Sequence, residues 1–529
     1  MADSMFSHFE MAGISHSTPE QASGTRDRYL PGRCRSRYHA RMTINSAQTD
    51  ELARLANDAM RAHGLVPDFT AAALAEANAA TAATESGTAI RDLRALLWSS
   101  IDNDDSLDLD QIEVAEALGD GNSKLMVGIA DVGSVVNPGS AVDEHARANT
   151  TSVYTAAKVF AMLPERLSTN LTSLAQDQDR LCLVIEMTVG AKGTLMQSTI
   201  YRALVRNRAK LAYRSVAAWV QGTGAAPSQV GAVAGLEAQL RLQDTIAQAL
   251  KRQRQAKGAL DFDTAENRAV YEGGVLIDLE PDPKNRAQEL IEEFMVAANG
   301  VTARFLQQHG RSSLRRILRV PKHWDRIVQI AKEAGEKLPD APDALALNEF
   351  LMRRRQSDPS RFADLSLAVI KCLGAGEYVA QRPGQTPEGH FGLAVQDYAH
   401  STAPNRRFPD LLTQRLVKAV LKEQQPPYSD TELSALASHC TEQESNAKKV
   451  ERQIEKSAAA MLLGSQIGTR FEGIVTGASE KGTWVRIANP AAEGRVVKNF
   501  QGFDVGNHVH VQLLRVDVAR GFIDFAGVR

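Results

Sequence analysis

The sequence predicts a mixed α+β chain: helices at its start, a large central domain of strands followed by long helices, and a small all-β barrel at its end. Three observations carry this. Apolar residues recur at helical spacing in TDELARLANDAMRAHG. The strand-like segments KLMVGIADVG and RLCLVIEMTVG precede a stretch from Tyr201 to Leu463 dominated by helical patterns. From Gly468 onward the chain changes to short alternating runs separated by glycine.

Residues 1–44 are rich in Ser, His, Arg and Gly without apolar periodicity and read as a disordered extension. Residues 45–95 read as a helical module, in which Leu52, Leu55, Ala56, Ala59 and Met60 share one face and Gly64 is placed to end the helix. An Ala-rich stretch, Thr70 to Thr84, predicts a second helix. Residues 96–465 form the central domain, whose helical part is interrupted by GGVLIDLEPDP and GEYVAQRPGQTPEGHFG. Residues 466–529 supply RFEGIVTGA, GTWVRIA, EGRVV, HVHVQLLRVD and GFIDFAG. These strands fit a five-stranded barrel of the OB type, an architecture that commonly binds single-stranded nucleic acid.

Over the 529 residues the formal net charge is -2, which argues neither for nor against a nucleic-acid partner. Locally, residues 201–260 carry ten Lys or Arg against Glu237 and Asp244, a pattern that suits either a phosphate backbone or the solvated face of long helices. Cys34, Cys182, Cys372 and Cys440 are scattered, with neither zinc-site nor disulfide spacing, so a reducing, cytoplasmic compartment is expected. No run approaches the ~18 apolar residues of a membrane span, and no membrane partner is expected.

The chemistry concentrates in SSIDNDDSLDLDQIEVAE, Ser99 to Glu116, where five aspartates fall within nine residues. Such crowding is costly unless a positive charge sits among them. Magnesium prefers hard oxygen ligands, and Asp102, Asp108 and Asp110 on a loop beside strands could hold it. Two such ions about 3.5–4 Å apart would activate a water and stabilise the leaving oxygen of a phosphodiester. A calcium loop of the EF-hand kind is the rival. It fails where the sharp turn needs glycine and the chain has Leu107, and strand-like residues follow instead of a long exiting helix.

The run and its surroundings resemble the ribonuclease II/R family of exoribonucleases, whose signature is Ile-Asp, five residues, Asp, one residue, Asp-Asp. Here Ile101-Asp102 is followed by Asp108, Leu109, Asp110 and Gln111. VGIADVGSVVNPGSAVDEHARANTTSVY, AMLPERLSTNLTSLAQDQDRLCLVIEM, IEEFMVAANGVTARFL and GHFGLAVQDYAHSTAPNRRFPDLLTQR resemble later blocks of the family in order, covering about Leu96 to Leu463. The resemblance implies an RNB-type catalytic domain around a narrow RNA channel. It also implies a 3′-to-5′ exoribonuclease that hydrolyses single-stranded RNA to nucleoside 5′-monophosphates with Mg2+.

Carried over by position, Asp102, Asp108, Asp110 and Gln111 are the metal ligands, with Asp108 and Asp110 also catalytic. Arg406 grips the scissile phosphate, a task that suits a guanidinium's fixed fork of donors. Tyr154 stacks near the terminal base, and Glu451 helps hold the last nucleotides. The barrel resembles the family's C-terminal RNA-binding domain, where Phe471 and Trp484 are candidates to face bases. The basic segment 201–260, with Arg304, Arg311, Arg315, Arg316 and Arg319, offers further backbone contacts or ion pairs. Gln111 departs from the signature, because its carbonyl ligates a cation but brings no charge. The alternative is therefore a catalytically weak or inactive RNA-binding member of the same family. Ser401, Ala403, Asn405 and Phe408 also depart from the usual Phe, Ser, Ile and Tyr. The helical module stands where typical members carry two cold-shock barrels.

Overall fold

A computed structural model describes residues 46–83, 89–263, 266–272, 275–479 and 482–528, so the extension expected over residues 1–44 lies outside the described residues. The module begins with a helix, Ser46–Ala62, followed by Gly64 at φ 74°, a backbone that glycine adopts without strain. A second helix, Ala71–Ala79, starts where the Thr70 side chain accepts the Ala73 N–H.

The central domain is built on a seven-stranded sheet. Its spatial order is Ile90–Asp92, Leu195–Arg206, Asp179–Val189, Ser123–Ala130, Gln111–Ala117, Ser99–Asp102 and Ala209–Ala212. Neighbours pair antiparallel except at the two edges, where Ile90–Asp92 and Ala209–Ala212 run parallel to their partners. The sheet is covered on both faces, which explains the near-continuous apolar runs of its middle strands. On one face Val127, Ile129 and Ile185 pack with the helices Leu236–Gln255 and Arg286–Gln308. On the other, Ile112, Val114, Met126 and Val184 pack with Leu411 and Leu412 of the helix Phe408–Leu421. Ile90–Asp92 falls in the segment that sequence reasoning gave to the helical module, because three residues are too few to show a period.

GGVLIDLEPDP becomes the strand Val275–Asp282, paired with Glu266–Glu272, and GEYVAQ becomes Glu377–Gln381, paired with Ser313–Ile317. The long helix Asp430–Leu463 opens with a capping box between Ser429 and Glu432. Its C-terminal half carries the barrel. The strands Arg470–Ser479, Gly482–Ile487, Ala492–Lys498, Phe522–Val528 and His508–Asp517, in that spatial order, close on themselves. One apolar cluster joins Val475, Val485, Val511 and Phe525 of the barrel to Ile454 and Ala458 of the long helix and to Leu52 and Met60 of the module. The two terminal pieces are thus packed together against the catalytic domain.

Of the roles open to the basic segment, ion pairing within the protein takes at least six of its ten cations. Arg202 is buried against Asp131, Arg206 pairs with Asp179, Arg214 with Asp282, Arg241 with Glu237, Lys251 with Glu289, and Arg254 with Glu293. These pairs are largely buried at Arg202, Lys251 and Arg254 and lie on the surface at Arg206, Arg214 and Arg241, and most of the acids come from remote segments. Arg315 and Arg316 are likewise buried, against Asp397 and Glu444. Cys182, Cys372 and Cys440 are free thiols. Among the described residues no helix is long and apolar enough to cross a membrane.

Candidate active site

The acidic run folds as a strand, a loop and a strand, which disposes of the EF-hand reading. Ser99–Asp102 ends at Asp102, and Gln111–Ala117 begins at Gln111. The Asp102 carboxylate organises the loop by accepting the Asn103 N–H at 2.7 Å and the Ser106 hydroxyl at 2.9 Å, the local bonding that makes aspartate a turn former. Asp110 is fixed from two directions. Its carbonyl accepts the Ala130 N–H at 2.9 Å, and its Oδ1 accepts the Asn405 N–H at 2.8 Å.

That second bond brings in the segment YAHSTAPNRRFPD. Ser152 donates its N–H to the Arg406 carbonyl at 2.9 Å, and Phe408 donates to Thr150 at 2.8 Å. The two adjacent arginines then diverge. Arg407 turns inward to a buried pair with Asp410 at 2.7 Å. Arg406 turns toward the acidic loop, its Nε 3.5 Å from Asp110 Oδ2.

The result is a cavity of about 20 Å³ lined by Asp102, Asp108, Asp110, Gln111, Tyr213, Met295, Thr402 and Arg406. It has room for one water-sized occupant. Burial raises the Asp110 carboxyl well above its ordinary range, against the opposing pull of Arg406. Burial, with the Asp102 charge second, lifts Asp108 to about 6. Asp102 is also raised, by burial. Three carboxylates share the single guanidinium of Arg406 at the cavity, and their ligand atoms are all hard oxygen, so the set fits a divalent cation. Among the described residues no group of three or more His, Cys, Asp or Glu side chains is placed to hold a metal ion by itself. An ion that keeps waters and substrate oxygens as ligands does not require one. Asp104 is exposed, and Asp105, half-buried, is not among the lining residues.

Tyr154 and Glu451 meet nearby. The Tyr154 N–H donates to Glu451 Oε1 at 2.9 Å. Burial raises the Tyr154 hydroxyl, with Asp108, Arg406 and Asp110 all within electrostatic reach. Burial likewise pushes Glu451 up to about 7. Phe471 and Trp484 lie apart, in the barrel. Phe471 packs on the core side, its ring 6.2 Å from that of Phe525. Trp484 alternates with inward-facing Thr483 and Val485 and stands half-buried over Gly477 and Gly482 on the outer face.

Sequence reasoning missed Tyr213, Met295 and Thr402, which line the cavity with ordinary side chains that carry no motif of their own. The four departures in the arginine block are absorbed by local packing. Ser401 donates to Asn299 Oδ1 at 2.8 Å, the Ala403 N–H reaches Asp410 at 2.8 Å, Asn405 Oδ1 accepts from Thr172 at 2.5 Å, and Phe408 is buried.

With this geometry in hand, comparison with known families is decisive. The RNB domain matches residues 90–423, and the RNase II-type exonuclease C-terminal S1 domain matches residues 469–528. The chain belongs to the RNB domain family. Among RNB relatives, ribonuclease R 1 of Lactococcus lactis is 28% identical over 465 residues, 82% of this chain and 56% of the relative. Ribonuclease R of Escherichia coli is 31% identical over 421 residues, 77% of this chain and 51% of the relative. The chain therefore spans little more than half the length of these two curated relatives. The RNB fold is also that of Mycoplasma genitalium RNase R in complex with ribose methylated single-stranded RNA, at a TM-score of 0.81 and 21% identity, covering 90% of this chain and 78% of that one.

Proposed function

We propose that this chain is a 3′-to-5′ exoribonuclease that hydrolyses single-stranded RNA to nucleoside 5′-monophosphates with magnesium. One observation carries the reading: Asp102, Asp108, Asp110 and Gln111 share a cavity with Arg406. The relatives named ribonuclease R, and the neighbour in complex with single-stranded RNA, support the substrate class. Asp102, Asp108, Asp110 and Gln111 would hold magnesium, which when bound supplies an activated water and countercharge for the leaving oxygen.

Arg406 presents two parallel donors to the scissile phosphate and, before substrate arrives, rests against Asp110. Phosphate binding then exchanges one anion for another at the same guanidinium. Asp110, anchored through Oδ1 by the Asn405 N–H, keeps its second oxygen toward the cavity. Glu451 fixes the Tyr154 backbone, and the Tyr154 ring stacks near the terminal base, a contact worth roughly 1–3 kcal/mol and tolerant of sequence. Trp484 on the barrel offers a second stacking face. The free thiols at Cys182, Cys372 and Cys440 favour a reducing cytoplasm as the compartment.

Gln111 favours a second reading, a catalytically weak or inactive RNA-binding member. Incubating the protein with 5′-labelled single-stranded RNA and magnesium separates the two. Progressive shortening with monophosphate release, abolished in Asp110→Asn, is the expected result. Tight binding without degradation would establish the second reading instead.

A further inference from the structure

Thr402 borders the cavity and is 2% exposed. Its two chain neighbours are clamped from different directions. Ser401 donates both its N–H and its hydroxyl to Oδ1 of Asn299, on the helix Arg286–Gln308, each at 2.8 Å. The Ala403 N–H donates to Asp410 Oδ1 at 2.8 Å, the same oxygen that takes the Arg407 guanidinium at 2.7 Å. Thr402 therefore sits on a backbone that is fixed on either side of it.

Two side chains face its Oγ1, and neither can receive a proton. Asn299 Nδ2 and Arg407 Nη2 both lie 3.5 Å away. Asn299 turns its amide nitrogen this way because its oxygen is occupied by the two Ser401 donors. A guanidinium has donors only and stays charged. The Thr402 lone pairs are thus directed at donors, and its single proton has no acceptor among the described residues. A buried hydroxyl normally donates as well as accepts, so the acceptor belongs in the space that Thr402 borders, which is the cavity. Lone pairs committed to donors also exclude Thr402 as a metal ligand. What its proton suits is an anion.

We infer that Thr402 is a catalytic hydrogen-bond donor to a non-bridging oxygen of the scissile phosphate, working beside Arg406. The inference rests on reading the chain as an exoribonuclease. Thr402 and Arg406 flank one turn, closed by the Arg406 and Arg407 N–H groups on the Ala403 carbonyl, so hydroxyl and guanidinium reach the same cavity from one short segment. The buried Arg407 acquires a task as well. A hydroxyl that faces a fixed cation is a better donor, so positive charge is relayed to the phosphate without a second guanidinium entering the cavity. Fixed donors of this kind count most where negative charge develops during reaction.

The test is steady-state hydrolysis of 5′-labelled single-stranded RNA by the full chain and by T402V, T402S and T402A, each checked for thermal unfolding. Thr402→Val keeps the shape and removes the donor, so it should lower kcat by about 100-fold with KM little changed. Thr402→Ser keeps the hydroxyl and should stay near the parent rate. The sharper readout is a substrate whose 3′-terminal linkage carries a single sulfur, as either diastereomer, with manganese as the ion. Sulfur accepts hydrogen bonds weakly, so the penalty of T402V should shrink by about 10-fold in one diastereomer and stay unchanged in the other. A merely structural threonine would give the same penalty with oxygen and with both sulfur isomers, and that result, or a parental kcat in T402V, overturns the proposal. If T402V fails to fold, T402A is compared with T402S on the same substrates. A wild type that binds this RNA and releases no monophosphate would instead overturn the exoribonuclease reading, and this proposal with it.

Discussion

Arg406 and Arg407 are chemically identical neighbours with opposite surroundings. Arg407 is buried in a pair with Asp410, while Arg406 borders the cavity. Removing one partner of a buried pair leaves an uncompensated charge, so Arg407→Ala should lose about 3–5 kcal/mol of folding stability in urea titrations. Arg406→Ala should leave stability within about 0.5 kcal/mol and cut turnover by at least about 100-fold. Equal effects on stability would contradict this division. Glu451 makes a different prediction, because its carboxyl is pushed up to about 7 by burial. The native state then binds this proton more tightly than the unfolded chain. Its contribution to stability is complete below the ordinary glutamate value of about 4.3 and is lost as pH rises through about 7. Glu451→Gln keeps an acceptor for the Tyr154 N–H and removes the titration. Its stability should fall less between pH 5 and 8, leaving it about 1–3 kcal/mol more stable than the parent at pH 8. Parallel pH curves would refute that assignment. The sequence suggested a role for Glu451 but not this environment, which depends on a strand far away in the chain.

At the scale of elements, what was legible is what is locally periodic. The two N-terminal helices, the strands around KLMVGIADVG and RLCLVIEMTVG, and all five barrel strands follow from side-chain spacing and glycine placement. The fate of the basic segment stayed open in the sequence because pairing is tertiary: Arg202 meets Asp131 and Arg254 meets Glu293 only after folding. The attachment of the barrel was equally invisible. It combines the shared apolar cluster with a close approach at Gly521, which has φ 63° and where an added Cβ would lie 2.6 Å from Lys456 Cβ on the long helix. Gly521→Ala should therefore loosen the barrel from the helix Asp430–Leu463, separating a weaker barrel transition from the main one in calorimetry. A single transition at the parental temperature would show that the contact is not needed.

For the molecule as a whole, the cavity is assembled from segments that only the fold brings together. The acidic loop, the start of the helix after Ala209–Ala212, the helix Arg286–Gln308 and the Thr402–Arg406 stretch all contribute. The acidic loop and Arg406 were readable because family resemblance preserves their order, whereas Tyr213, Met295 and Thr402 needed coordinates. The shared apolar cluster of module, long helix and barrel further makes the two chain ends one support for the catalytic sheet. The central claim is that the Asp102–Gln111 wall and Arg406 together hold a divalent ion beside a phosphate. Anomalous diffraction from crystals of the full chain soaked in manganese, with a short RNA bound, measures it directly. A manganese peak within about 2.5 Å of Asp110 or Asp102 oxygens, with a backbone phosphate at Arg406, is the expected result. RNA bound with its 3′ end elsewhere, and no metal peak in the cavity at saturating manganese, would contradict the account.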